Sequence, residues 1–382
     1  MNLPETKVKQ LIKLMNSMSS ASIPAQKPII EMFNIAMDEK MLDYLIALGK
    51  DYYDIEGLKN VYERLYGEQG WEEHCQEIFE MSFVHPKSNE ERHLYSLSPI
   101  FPGWVEFYTS GPINEKRQAI LDKFMEFWTI LKKLNIMPVR MLTDYKALKK
   151  IKDQVPPRVS TYVNSGKEII LNQPLESIQE IHPKGDIYTL LEKNKNEIAV
   201  MNCFCRTHKK IHKNEECEFG LPVEGCITLG ALSRQVVDNG VAKHLTFEEA
   251  VHLLNEFSKK GAIHTIYHYH NDANYDEIVV CNCCPDCCLL YSGYKEGGLS
   301  KIFARCYYKP NMIDEDKCVG CNLCGKHCPT EATYYDKKSK KLVFDYDKCI
   351  GCGQCVNQCK FHVREMVKDQ RDVFVKTKKK GS

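Results

Sequence analysis

The chain is 382 residues long, with 43% hydrophobic and 27% charged residues, enough for two or three domains each with its own core. Its formal net charge of +1 sets up no field that would gather nucleic acid or an anionic membrane, and no apolar run approaches the ~20 residues that cross a bilayer. The start, Met1-Asn-Leu-Pro-Glu-Thr-Lys, lacks the order of a signal peptide, so the expected location is the cytoplasm. Nineteen cysteines point to a reducing, anoxic one, where thiols stay free.

Residues 1–112 read as successive helices followed by a hairpin. Apolar residues recur at helical spacing in Ile29, Ile30 and Phe33, and again from Met41 to Leu48, closing at Gly49. Asp54 is placed as the N-cap of a further helix carrying Leu58, Val61, Tyr62 and Leu65, which ends at Gly67. Phe83-Val-His85 and Tyr95-Ser-Leu97 then flank a polar loop, as in a hairpin. This succession suggests a winged helix. Between Pro24 and Ser110, however, seven basic residues stand against sixteen acidic ones, a balance of −9. A duplex binder needs the opposite sign, so the domain reads as a protein-docking module. Tight, salt-sensitive DNA binding in a gel shift would overturn that.

Residues 113–195 form a connector. Its helix, Asn114 to Leu134, aligns Ile120, Phe124, Phe127, Leu131 and Leu134 on one face, as expected of a helix packed between domains. From Met137 to Lys195 the pattern is weak and no role follows.

Residues 196–308 are rich in cysteine. Cys203, Cys205, Cys217 and Cys226 fall within 24 residues; convergent thiolates of uneven spacing can ligate a cluster of iron and sulfide. Arg206, Lys209 and Lys210 beside them would lower thiol pKa values and offset cluster charge. Zinc is the competing occupant, although Cys-x-Cys is a poorer zinc knuckle than Cys-x2-Cys. Thr246 and Glu249 form a capping box ahead of a helix that ends at Gly261. Cys281, Cys283, Cys284, Cys287 and Cys288 then crowd one loop, too many to be buried small hydrophobes. The two groups hold separate clusters or contribute jointly to one. His264, His268 and His270 alternate along a strand, a wet face or a metal and proton site. Cys75 and Cys306 read as packing residues.

Residues 309–366 carry the strongest signal. Cys318, Cys321 and Cys324 are spaced by two residues, with Cys328 set off by three, and the unit repeats as Cys349, Cys352, Cys355 and Cys359. By the rule for such runs the fourth cysteine ligates the other cluster. One [4Fe-4S] cluster then takes Cys318, Cys321, Cys324 and Cys359, and the other Cys349, Cys352, Cys355 and Cys328. Gly320, Gly351 and Gly353 would allow tight turns there. Residues 367–382 form a basic tail.

This last stretch, about a sixth of the chain, resembles the bacterial-type two-cluster ferredoxin, with Lys360 where the second run usually carries Pro. More widely, Leu97-Ser-Pro-Ile-Phe101-Pro-Gly103-Trp-Val-Glu106-Phe107, the cysteines from Cys203 to Cys226, and Cys281-Asn-Cys283-Cys284 resemble a family of anaerobe iron-sulfur proteins. In that family a winged-helix-like domain precedes a cysteine-rich middle and a ferredoxin module. Pro285 and Asp286 depart from its pattern.

The expected fold is α+β and multidomain: a helical winged-helix-like N-terminal domain, a cysteine-rich mixed middle domain and a two-cluster ferredoxin-like C-terminal domain. The expected function is electron transfer to a partner oxidoreductase through two [4Fe-4S] clusters, with one or two further clusters, or zinc, in the middle. A cluster-dependent reductase or activating subunit with an open-site upstream cluster is the alternative, and a redox-sensing DNA-binding regulator stands behind both. An electron carrier or redox subunit is favoured over a stand-alone enzyme, since no nucleotide loop, flavin fingerprint or nucleophile triad is present.

Overall fold

A computed structural model describes residues 2–18, 23–87, 94–134, 159–162, 187–268, 277–297 and 308–369. Five helices precede the hairpin: α1 (Glu5–Ser17), α2 (Lys27–Ala36), α3 (Glu39–Leu48), α4 (Ile55–Tyr66) and α5 (Trp71–Glu80). The periodicity of the sequence exposed the middle three; α1 and α5 carry more polar residues and were not anticipated. Asp38 and Asp54 cap α3 and α4, accepting from the Met41 and Gly57 N–H groups at 2.8 and 2.7 Å, which satisfies donors the helix leaves free. The hairpin pairs β1 (Val84–Pro86) with β2 (Tyr95–Leu97) in antiparallel register.

After β2 a π-helical turn, Ile100–Trp104, runs into α6 (Val105–Thr109), and α7 follows (Glu115–Leu134). The apolar face of α7 buries Ile120, Phe124, Phe127 and Leu131. Phe124 meets both Phe101 at 4.9 Å and Phe204 of the middle domain at 5.7 Å, so α7 packs between the two, as its stripe of aromatics anticipates.

The middle region of the chain, with β3 from the connector, forms a six-stranded antiparallel sheet, ordered β3 (Val159–Tyr162), β7 (Ile263–His268), β8 (Glu277–Cys283), β5 (Glu224–Leu229), β4 (Ile198–Asn202), β6 (Ala242–Leu245). Helices α8 (Ile187–Lys193), α9 (Phe204–Lys213), α10 (Gly230–Asp238), α11 (Phe247–Lys259) and α12 (Leu289–Gly297) accompany it. Thr246 and Glu249 form both halves of the expected capping box on α11. Only β3 and α8 of the connector after Leu134 are described. Cys306, His270 and the tail from residue 370 lie outside the described residues.

The C-terminal module has two small antiparallel sheets, β9 (Tyr308–Met312) with β12 (Arg364–Lys368) and β10 (Thr333–Asp336) with β11 (Lys341–Phe344), and two one-turn helices, α13 (Leu323–Lys326) and α14 (Gln354–Asn357). A continuous apolar core links the three regions: it runs from Phe33 and Trp104 through Phe204, Cys283 and Tyr291 to Ile350 and Cys352. Side chains tie them as well. Gln235 and Asn239 donate to the Val84 and Phe79 carbonyls at 2.8 and 2.6 Å, and Gln354 to that of Ala262 at 2.7 Å. Among the described residues no helix is long and apolar enough to cross a membrane.

Candidate metal centres

The C-terminal module repeats its backbone as well as its cysteines. Gly320 and Gly351 (φ 70° and 78°), then Asn322 and Gly353 (φ 58° and 73°), take left-handed conformations at matching places in the two halves, turning each cysteine run back on itself. Cys318, Cys321, Cys324 and Cys359 line one small cavity of about 30 Å³. Cys328, Cys349 and Cys352 line a second of about 20 Å³, and Cys355 borders both. The fourth cysteine of each run has thus crossed to the other half. Residues 310–360 match the 4Fe-4S dicluster domain. Neither curated proteins nor solved structures give a match to the chain.

The donor set fits what that family implies: four thiols at each cavity, few oxygen donors, and a buried cation. Arg364 of the dicluster module, only 5% exposed, donates to Thr333 Oγ1 at 2.8 Å and reaches the Cys355 thiol. It supplies the positive charge that a thiolate-bound cluster requires of its surroundings. Ala332 N–H donates to Cys328 Sγ at 3.1 Å. The two cavities differ in depth: Cys321 is exposed, with Val319 and Phe361 exposed beside it, whereas Cys352 is buried against the middle domain.

The nine upstream cysteines converge from distant segments. The register of β5 and β8 sets Cys226 opposite Cys281, with Sγ atoms 3.7 Å apart. The start of α9 brings Cys203 and Cys205, and the turn after β8 brings Cys284, Cys287 and Cys288. All of these, with Cys283, line one cavity of about 80 Å³. Cys217 stands behind it, 3.7 Å from Cys284. The two cysteine groups are therefore brought together. Hydrogen bonds from neighbouring thiols, and then burial, push the Cys203, Cys281 and Cys283 thiols well above their usual range, so loading a metal here would release protons.

Arg206 explains why this cavity is more than packed thiols. The residue is 3% exposed and lines the cavity. Its Nη1 donates to the Asn282 carbonyl at 2.7 Å, while Nε and Nη2 find no partner. Burial works against its charge, and Cys203, Cys284, Cys283 and Cys217 around it favour that charge once they are ionised. A buried, half-satisfied guanidinium costs several kcal/mol unless negative charge faces it, and thiolates on a bound metal or cluster would supply that charge. The approach depends on Gly225, where an added Cβ would lie 2.5 Å from Arg206 Nη2. Asn282 completes the floor, donating to the Gly225 carbonyl at 2.9 Å and meeting His264 Nδ1 at 2.6 Å.

The three basic residues anticipated beside these thiols therefore divide. Lys209 pairs with Asp286 at 2.8 Å in a nearly buried bridge, and Lys210 bonds Glu216 at the surface. His264 is buried, its pKa lowered to about 4 by desolvation, and it serves the Asn282 network. The pairing of β7 with β8 shifts register between Tyr267 and His268, with Ile278 of β8 the extra residue. Cys75 packs against the N-terminal core.

Sequence reasoning passed over two residues, Glu106 at the cavity and Tyr291 in the core behind it. Glu106, with Phe101, Phe107 and Ser110 of the N-terminal region, forms one wall. It accepts from Gly103 N–H at 2.7 Å, and burial raises its pKa well above 4.5. A lone carboxylate within the apolar run Ile100 to Tyr108 was the available signal. Tyr291 is fully buried in the core that also holds Cys283, Cys288 and Cys352; nothing in its local sequence marks it.

Proposed function

We propose that the chain is an iron-sulfur electron-transfer protein whose middle cavity holds a further cluster, exchanging electrons with a partner oxidoreductase by way of the dicluster module. The observation that carries this reading is a shared buried core: Cys283 and Cys288 of the cavity, Tyr291, and Cys352 of the inner dicluster site belong to one packed cluster. Bound clusters would supply one-electron redox chemistry. In the dicluster module Cys318, Cys321, Cys324 and Cys359 would hold one, and Cys349, Cys352, Cys355 and Cys328 the other. In the cavity the donors would come from Cys203, Cys205, Cys226, Cys281, Cys283 and Cys288. Arg206 and Arg364 offset the negative charge of these centres. Phe101, Phe107 and Leu289 keep water out of the cavity, and the exposed edge at Cys321, Val319 and Phe361 presents the outer site to the partner.

Iron and acid-labile sulfide per chain, measured in protein purified without oxygen, test the reading together with EPR of the reduced form. About twelve irons are expected, and about eight would overturn the cavity cluster. The size of the cavity favours a second reading. At about 80 Å³ it exceeds both dicluster cavities, of about 30 and 20 Å³, taken together, which leaves space for a small molecule beside a cluster. A change in the EPR spectrum of the cavity centre on adding cyanide would support that reductase-like role; an unaltered spectrum would remove it.

A further inference from the structure

We infer that Cys217, Cys284 and Cys287 form a separate, mononuclear site for a thiophilic divalent ion of the zinc class, with three thiolate ligands and an open fourth position. The inference rests on the reading of the middle cysteines as metal-binding, and divides them.

Spacing decides first. The three Sγ atoms all lie within 4.8 Å of one another, and no other three cysteines do so among the described residues. A tetrahedral ion with metal–sulfur bonds of about 2.3 Å sets its ligand sulfurs roughly 3.8 Å apart, and Cys217 and Cys284 stand at 3.7 Å. A cubane carries each thiolate outward on a different iron, so its ligand sulfurs stand farther apart. Cys226 and Cys281 are also close, but among the described residues no third thiol lies within 4.8 Å of both.

The backbone agrees. Cys284-Pro285-Asp286-Cys287 is a Cys-x2-Cys turn in which Cys287 N–H donates to Cys284 Sγ at 3.2 Å. Across from it, the N–H groups of Phe219 and Leu221 donate to Cys217 Sγ, with Gly220 at φ 64° bending the loop. Amide donors aimed at a sulfur favour its thiolate form. The site also has its own apolar shell of Leu221, Phe257 and Ala262, apart from the cores that hold the other cavity thiols.

Asp286 is the clip that holds the two loops in register. One of its oxygens accepts from Glu218 N–H at 2.9 Å, and both accept from Lys209 Nζ at 2.8 and 2.9 Å. The same carboxylate accepts from the Cys287 thiol at 3.3 Å, and no fourth ligand atom lies within 4.8 Å of all three thiols among the described residues. Three thiolates around a divalent ion leave one net negative charge, which Arg206 faces. Three protein ligands with a vacant position are the pattern of an exchangeable or reactive metal rather than a closed structural one.

The test is zinc and iron per chain in the intact protein, for wild type and Cys217→Ser, with Co²⁺ added to chelator-treated wild type. The expected result is about one zinc, lost in Cys217→Ser without loss of iron. Cobalt should give an intense sulfur-to-metal absorption in the wild type. Asp286→Asn should weaken Co²⁺ binding by about 10–100-fold, as a lost outer partner does. Loss of iron instead of zinc in Cys217→Ser would overturn the site, and so would the absence of a cobalt band in wild type, a result independent of whether the variant folds. Eight irons with one zinc would remove the cavity cluster and leave this site standing; twelve irons with no cobalt band would do the reverse.

Discussion

The dicluster module and the middle cavity both gather thiols around a buried arginine, yet they are built in opposite ways. In the first, the cysteines lie between Cys318 and Cys359 and two short turns of like shape bring them together. In the second, a β-sheet register, a helix start and a turn each contribute, and the N-terminal region supplies a wall. A local site tolerates change in its surroundings. An assembled site is only as stable as the packing that closes it, so the two should respond differently to the same kind of substitution.

The largest difference is expected from the arginines. Arg206→Met leaves the thiolate charge of the cavity unopposed and should cost about 3–5 kcal/mol, with iron falling to the dicluster content. Arg364→Met, in a module held by its own turns, should keep all its iron and shift its potentials to more negative values. Chemical denaturation and iron analysis read both outcomes, and equal losses at the two positions would erase the contrast.

Glu106→Gln sharpens the comparison through pH. The native carboxyl is held neutral well above 4.5, whereas the unfolded chain ionises there. Wild type therefore loses stability as pH rises from about 4.5 towards the raised native value, and the glutamine variant does not. Its advantage should grow by up to about 1.4 kcal/mol per pH unit through that window. A constant difference between pH 5 and 8 would show that Glu106 is not buried in its neutral form. The smallest effect is expected at Thr246→Ala, which removes the cap of α11, the helix carrying Phe257 under Arg206. Loss of about 1 kcal/mol with full iron content is the expected result; selective loss of cavity iron would show that even a remote cap feeds into the assembled site.

The same contrast explains what could be read from the chain alone. The dicluster cysteines announce themselves because ligand spacing is a local property, and the crossing of Cys328 and Cys359 to opposite halves follows from it. Asp54, Thr246 and the aromatic face of α7 were legible for the same reason, since caps and helical periods are written within a few residues. The union of Cys203, Cys205, Cys226 and Cys281 was not, because it depends on which strands pair and in what register. The distinct role of Cys217 was hidden likewise: its partners Cys284 and Cys287 sit within a five-cysteine run that reads as one loop, and only the turn after β8 separates them from Cys281 and Cys283. Arg206, Lys209 and Lys210 look alike in sequence, and burial alone assigns them three different tasks.

The wall formed by Phe101, Glu106 and Phe107 also bears on how the protein matures. These residues leave the ribosome well before Cys203 or Cys288, and N-terminal regions fold first. Once the later sheet docks against them, Phe101, Glu106 and Phe107 close one side of the cavity. A cluster assembled on the cavity thiols would then form against a wall that is already in place, so the seam between the two regions would be part of its maturation.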